Sequence, residues 1–194
     1  MKVILASTSP RRIDLLKTII ENFEVVPSNY DETKIIEKNP KKLVKKISYM
    51  KANEVFQRKK DEEKKLMVIG GDTVVYFNRE VVGKPKDKQD AINILTKLQN
   101  NRNAVYTGST VIVKKNNKIK VKTFVTKSII YIRKMTNKEI VQYVDTGEPM
   151  DKAGAYSIQG IGSKFAKIIK GSYVATVGLD MEKILKIIAK NINL

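Results

Sequence analysis

The stretch KVILASTSPRR, Lys2–Arg12, decides the fold class. Lys2–Ala6 is a short apolar run with β-branched Val3 and Ile4, which reads as a buried strand. Ser9 followed by Pro10 reads as an N-cap and first helical position, because proline has no N–H to lose there. Ile13, Leu16, Ile19 and Ile20 then give the new helix a core face. A buried strand that runs straight into an amphipathic helix is the opening unit of an α/β protein.

The same alternation continues along the chain. Phe23–Val26 reads as a second strand. Asn39-Pro40 is another cap-plus-proline start, and opens a helix to about Arg58 with Leu43, Ile47 and Val55 inward. Leu66–Gly71 reads as a buried strand ending in glycines, followed by Thr73–Phe77, a turn at Asn78-Arg79 and a short strand at Val81-Val82. Asp87 caps a helix through Leu98. Two long β segments, Ala104–Val113 and Lys118–Arg133, are joined by the turn residues Asn116-Asn117. Thr136 and Glu139 fit a capping box that starts a helix to about Asp145. Gly147–Gly162 is glycine-rich and irregular. Phe165–Ile169 and Tyr173–Val177 suggest a hairpin around Gly171. A last amphipathic helix runs from about Asp180 to Lys190. The expectation is an α/β fold, a mixed twisted sheet flanked by helices, with no internal repeat and no linker. At 194 residues the chain is expected to form one domain, 1–194.

Composition narrows the chemistry. There is no cysteine and no histidine. Disulfides, Cys- or His-ligated metals, iron–sulfur clusters, cysteine nucleophiles and Ser-His-Asp triads are therefore excluded. Catalysis would have to run on Asp, Glu, Lys, Arg, Ser, Thr, Tyr, the backbone or a hard metal ion. The net charge of +18 suggests polyanions. Yet 32 of the 38 basic residues are lysines, scattered along the chain, whereas nucleic-acid readout favours arginine forks. Nucleic acid is therefore not the expected main partner. The apolar run before Ser7 is too short for a signal-peptide core, and no run is long enough to span a membrane. A soluble, cytoplasmic protein with no membrane partner is expected.

Four segments could carry chemistry. Ser7, Ser9, Arg11 and Arg12 sit at a strand-to-helix junction, where free N–H groups attract phosphate and the guanidiniums add donors. The same residues are also compatible with a plain cap and two solvated arginines. Gly70-Gly71-Asp72-Thr73 closes a strand predicted to be buried, the place where α/β folds put ligands. Asp72 suits a general base or magnesium ligand, or a simple turn. Lys51 lies on the stripe of Leu43, Ile47 and Val55, so its ammonium either snorkels out or is held inward for an anion. Lys84, before Pro85, has a restricted backbone that could aim it. Finally, Gly147–Gly160 is long for a loop inside a compact domain. Its Gln159 offers an amide suited to the edge of a base.

Their order along the chain resembles the Maf family of nucleoside-triphosphate pyrophosphatases. The matching pieces are Leu5–Arg12, Asp31-Glu32, Lys51-Ala52, Gly70–Val75, Gly83–Pro85, Gly147–Gly160, Gly171–Tyr173 and Val177–Leu179. Gly71, where alanine is common, and Ser157, where glycine is usual, are small departures. The resemblance implies an elongated, inosine-triphosphatase-like fold with a cleft between two lobes, in a family whose members are often homodimers. It implies hydrolysis of a nucleoside triphosphate substrate between its α- and β-phosphates. Arg11, Thr73 and Gln159 resemble the dTTP/UTP branch, as against the branch acting on methylated GTP. On this resemblance Asp72, Lys51 and Lys84 would be catalytic. Ser7, Arg11, Arg12, Thr73 and Gln159 would bind substrate, and Glu32 with Asp72 would hold Mg2+ or Mn2+. Two other readings stand beside it. One is a purine or modified-base pyrophosphatase of the same family; the other is a basic regulatory module that binds nucleic acid or a protein.

Overall fold

The computed structural model describes residues 1–191. Seven strands form one mixed sheet in the order β2-β1-β3-β5-β6-β7, with β4 paired to β3. Strand β1 (Lys2–Leu5) runs parallel to both β2 (Glu24–Val25) and β3 (Lys65–Phe77). The short β4 (Glu80–Val82) returns antiparallel to β3. Strands β5 (Asn101–Lys115) and β6 (Lys118–Ile132) are long neighbours, and β7 (Ala166–Lys170) lies antiparallel to β6. The chain divides into two compact units. The first is 1–72, 107–126 and 178–194; the second is 73–106 and 127–177.

In the first unit the two-residue strand period sorts side chains onto opposite faces. Val3, Leu5, Met67, Ile69, Val111 and Val113 pack with Leu16 of α1 (Pro10–Lys17) and with Ile184 and Ile188 of α6 (Met181–Ala189). Ile4, Ala6, Leu66, Val68 and Ile112 pack on the other face with Ala52, Val55 and Phe56 of α2 (Pro40–Lys59). A strand run of Val and Ile buried on both faces is what a parallel sheet between helices requires. The α2 start is as the sequence predicts: the Asn39 side chain accepts from the Lys41 and Lys42 N–H groups. Ser9 occupies the α1 cap position but makes no side-chain capping bond.

In the second unit α3 (Lys88–Leu98) packs on α4 (Asn137–Asp145). Asp87 accepts from the Asp90 N–H, and Thr136 and Glu139 form both bonds of the capping box. Gly147–Gly162 is irregular, with short 3-10 turns at Glu148–Asp151, Ala153–Ala155 and Gly160–Lys164.

Two expectations are corrected. Gly70 and Gly71 do not end a strand; β3 passes through them without a break. Their role is close approach. A Cβ on Gly70 would stand 2.5 Å from the Ser48 carbonyl oxygen, and one on Gly71 would stand 2.7 Å from the Leu179 side chain. The hairpin around Gly171 is also not formed. Only its first arm is a strand; Tyr173–Val177 is a short helix, α5. Ser172 explains the change. Its Oγ accepts from the Ala175 N–H and its carbonyl from the Thr176 hydroxyl, so the β-branched run starts as a capped helical turn.

Candidate active site

Within the first unit, residues far apart in sequence meet at the α1 entrance and along α2. Ser7, almost fully buried, follows β1. Its Oγ accepts from the Ser9 N–H (3.3 Å) and from Arg12 Nη1 (3.2 Å). Arg12 Nε donates to the Gly178 carbonyl at 3.0 Å. The guanidinium is thus fixed from two sides, and its aliphatic stem runs against Gly178 and its Nε against Gly71. Neither glycine could carry a side chain without displacing it. Burial lowers the Arg12 pKa from its ordinary value; the Asp72 carboxylate opposes this, Arg11 adds to it and Glu32 opposes it. Arg12 remains a cation at any working pH, as arginine does in proteins.

Lys51 points inward. Its side chain is only 15% exposed, and Nζ lies 2.6 Å from Glu32 Oε1 and 3.6 Å from Asp72 Oδ1. Snorkelling is therefore not what this lysine does. The α2 helix lies close enough to β3 for this because Gly70 lets the strand approach the Ser48 carbonyl and Ala52. Asp72 is buried near the middle of β3, with 7% of its surface exposed. Glu32 is half exposed and sits at the head of a 3-10 turn, Glu32–Lys34, which Asp31 caps by accepting from the Thr33 N–H.

The first unit therefore brings together Ser7, Arg12, Lys51, Glu32 and Asp72. Arg11 lies beside Arg12 in the first turn of α1 and adds its charge to that guanidinium's surroundings. The chemistry available is clear from the groups. Two hard carboxylates and an ammonium share one point, and a second fixed cation lies within their field. Fixed cations of this kind stabilise developing phosphate charge, and a buried carboxylate can take a proton from water. Among the described residues, no group of three or more acidic, Cys or His side chains converges.

The remaining candidates belong to the second unit. Thr73 follows Asp72 directly and is partly buried. Lys84 is exposed beside Gly83, whose carbonyl accepts the Gly154 N–H at 2.9 Å. Gln159 is half exposed in the 3-10 loop, and its N–H donates to Ser157 Oγ at 3.0 Å. Among the described residues its side-chain amide makes no hydrogen bond.

Two supporting groups, Gly178 and Glu148, lie in segments that match the family but carry no role assigned from the sequence. Gly178 anchors Arg12 through a main-chain carbonyl, which no residue type signals. Glu148 accepts three hydrogen bonds under the Gln159 loop; its signal in the sequence was its place in Gly147–Gly160, a glycine-rich segment that matches the family.

Comparison with known proteins adds the lineage. Residues 2–191 match the family model described as Maf-like protein. The chain is 40% identical over 189 residues to the dTTP/UTP pyrophosphatase of Caldicellulosiruptor saccharolyticus, covering 97% of this chain and 94% of that one. It is 43% identical over 188 residues to the protein of the same name from Clostridium novyi, covering 96% of each. For the Clostridium beijerinckii dTTP/UTP pyrophosphatase the figures are 42% over 193 residues, 99% and 100%. A solved nucleoside-triphosphatase (dITP/XTP pyrophosphatase) from Mycobacterium abscessus aligns over 98% of this chain and 94% of that one. That alignment has 13% identity and a TM-score of 0.42, too distant to bear on function. No helix among the described residues is long and apolar enough to cross a membrane. By its sequence over nearly its whole length, this chain belongs to the Maf family.

Proposed function

We propose that this protein hydrolyses dTTP and UTP between the α- and β-phosphates, giving the nucleoside monophosphate and pyrophosphate. The observation that carries the proposal is the inward Lys51, held between Glu32 and Asp72 beside the fixed Arg12. The dTTP/UTP pyrophosphatase relatives, each at 40% identity or more, supply the substrate class.

Ser7, Arg11 and Arg12 take the phosphates, and the positive end of the α1 dipole favours the same anion. Asp72 orients a water and accepts its proton. The oxygen of that water joins phosphorus as the α–β bridging bond breaks, and the electron pair leaves with pyrophosphate. Lys51 offsets the charge on the departing group, and the family resemblance gives Lys84 the same role. Such chemistry depends chiefly on positioning and electrostatic stabilisation. Glu32 and Asp72 would hold a divalent cation, Mg2+ or Mn2+. Their pairing fits one, because magnesium is commonly bound through one or two carboxylates plus substrate phosphates. When bound, that ion supplies positive charge to the phosphate oxygens. Until it and the substrate arrive, Lys51 offsets part of the charge of the two carboxylates. Arg11, Thr73 and Gln159 set the preference for a pyrimidine base.

The test is a panel of nucleoside triphosphates, with Mg2+ and with Mn2+, read for pyrophosphate against orthophosphate. dTTP and UTP should lead, with pyrophosphate as product. A purine or methylated GTP at the head of the ranking would replace the substrate assignment. Orthophosphate as the product would overturn the reaction.

A further inference from the structure

The loop that carries Gln159 is folded around one carboxylate. Glu148 Oε1 accepts from the Gly162 N–H (3.0 Å) and from the Tyr143 hydroxyl (2.8 Å). Its Oε2 accepts from the Ile161 N–H at 3.0 Å. The Tyr143 oxygen in turn accepts from the Ser157 N–H (3.1 Å), and Ser157 Oγ accepts the Gln159 N–H. The segment is thus tied on both sides of Gln159, and both ties end on Glu148.

The packing allows little else. Gly160 has φ of +58°, and a Cβ there would stand 2.5 Å from Glu148 Oε2. A Cβ on Gly162 would stand 2.4 Å from the Ser157 carbonyl and 2.7 Å from the Tyr143 hydroxyl. The Tyr143 ring is itself held edge-on to Phe165, with centroids 4.6 Å apart. Burial pushes the Glu148 carboxyl upward, but the hydrogen bonds from Ile161, Tyr143 and Gly162 and the charge of Lys152 outweigh it. The net effect is a pKa below its ordinary value, so the acceptor stays ionised at neutral pH. The main-chain N–H groups of Ser157, Gln159, Ile161 and Gly162 are all committed, whereas the Gln159 amide is not. A rigid loop that offers one uncommitted side chain is built to present it.

We propose that Glu148 is a positioning residue for base selection: through Tyr143 and the Ile161 and Gly162 N–H groups it fixes Gln159 in the orientation that reads the base. This rests on the assignment of Gln159 to base recognition made above. A side chain held to a hydrogen-bonding geometry selects far better than a mobile one, and a displacement of about 1 Å in such a group can cost ~10²-fold.

The experiment compares Glu148→Gln, Glu148→Ala, Tyr143→Phe and Gln159→Ala, with the Glu148→Ala/Gln159→Ala double variant. Glu148→Gln keeps the shape but turns one acceptor into a donor; Tyr143→Phe keeps the ring and removes the bridge. kcat and KM are measured for dTTP, UTP, CTP and GTP. Each Glu148 and Tyr143 variant should shrink the dTTP-to-GTP ratio of kcat/KM by roughly tenfold, with KM for dTTP moving more than kcat. The double variant should be no worse than the worse single one, since both act through one group. Should Glu148→Ala fail to fold, Glu148→Gln and Tyr143→Phe carry the test. Lower melting temperatures with an unchanged ranking would make Glu148 structural only and overturn the proposal, as would additive losses in the double variant. The Gln159→Ala arm separates the two levels. If it changes the ranking and the Glu148 variants do not, the base-reading assignment stands and this role of Glu148 falls. If Gln159→Ala changes nothing, the base-reading assignment itself falls, and this role with it.

Discussion

Replacing Gly70 by alanine would add a single methyl group two residues before Asp72 on β3, and should impair the enzyme without touching a catalytic side chain. The new Cβ would stand 2.5 Å from the Ser48 carbonyl oxygen, 2.9 Å from Ala52 Cβ and 3.0 Å from the Ala52 nitrogen. Ordinary contact begins at 3.4 Å, so the worst overlap is short by about 0.9 Å. Two of the three obstructing atoms are main chain, and the third is a Cβ. None can swing aside, so α2 and β3 must part. Lys51 immediately precedes Ala52 on that helix, and its Nζ is already 3.6 Å from Asp72 Oδ1. A shift of this size moves the ammonium towards 4.5 Å, beyond direct ion-pair range. Overpacking of a tight core costs about 1–3 kcal/mol. At about 2–4 °C per kcal/mol for a chain of this length, the melting temperature should fall by roughly 2–12 °C. Misplacing a catalytic group by close to 1 Å should lower kcat/KM for dTTP by ~10–10²-fold. Thermal melting and steady-state pyrophosphate release, run on the same preparation, check both numbers. A Gly70→Ala protein with wild-type melting temperature and wild-type kcat/KM would refute the reasoning, because α2 would then not be set against β3 as described.

Other outcomes follow from the same contacts. Lys51→Met leaves Glu32 and Asp72 without their shared cation and should cost about 2–3 kcal/mol in urea denaturation, below the 3–5 kcal/mol of a fully buried pair because Glu32 is half exposed. Ser7→Ala removes the acceptor of Arg12 Nη1 and should raise KM for dTTP by roughly tenfold, as expected for a lost hydrogen bond to a charged group. Glu139 is held down to about 2 by Arg133 and by the Thr136 N–H. A depressed carboxyl gives its full stabilisation above its unfolded pKa and loses it as pH falls. The stability gap between wild type and Glu139→Gln should therefore be constant near neutrality and close between about pH 4.5 and 2; a gap that is the same at pH 7 and pH 2 would contradict this.

What was legible in the sequence were the features governed by near neighbours. The continuous apolar runs of β1 and of the first half of β3 read as buried strands, and their side chains fill the core on both faces of the sheet. Asn39-Pro40, Asp87 and the Thr136/Glu139 box start their helices where local hydrogen bonding places them. What depended on distant partners was not legible. Glycines at 70 and 71 look like a strand end until Ser48, Ala52 and Leu179 are seen pressing on them. Tyr173–Val177 has strand-forming residues, yet Ser172 starts a helical turn there. Lys51 on an apolar stripe could have gone either way; the deciding partners, Glu32 and Asp72, come from other segments. The order of the motifs carried the family resemblance, the resemblance supplied the expected roles, and the geometry supplied the meeting of Ser7 with Arg12 and of Lys51 with both carboxylates.

The most direct measurement is the product yield of the Asp72→Asn variant beside wild type, with dTTP and a divalent cation, quantifying dTMP, pyrophosphate and orthophosphate together. Wild type should release dTMP and pyrophosphate in equal amounts without orthophosphate. Asp72→Asn should fold normally and be slower by at least ~10²-fold, the low end for removing a general base. An Asp72→Asn protein that releases pyrophosphate at the wild-type rate would contradict the assignment of this buried carboxylate as the group that activates water.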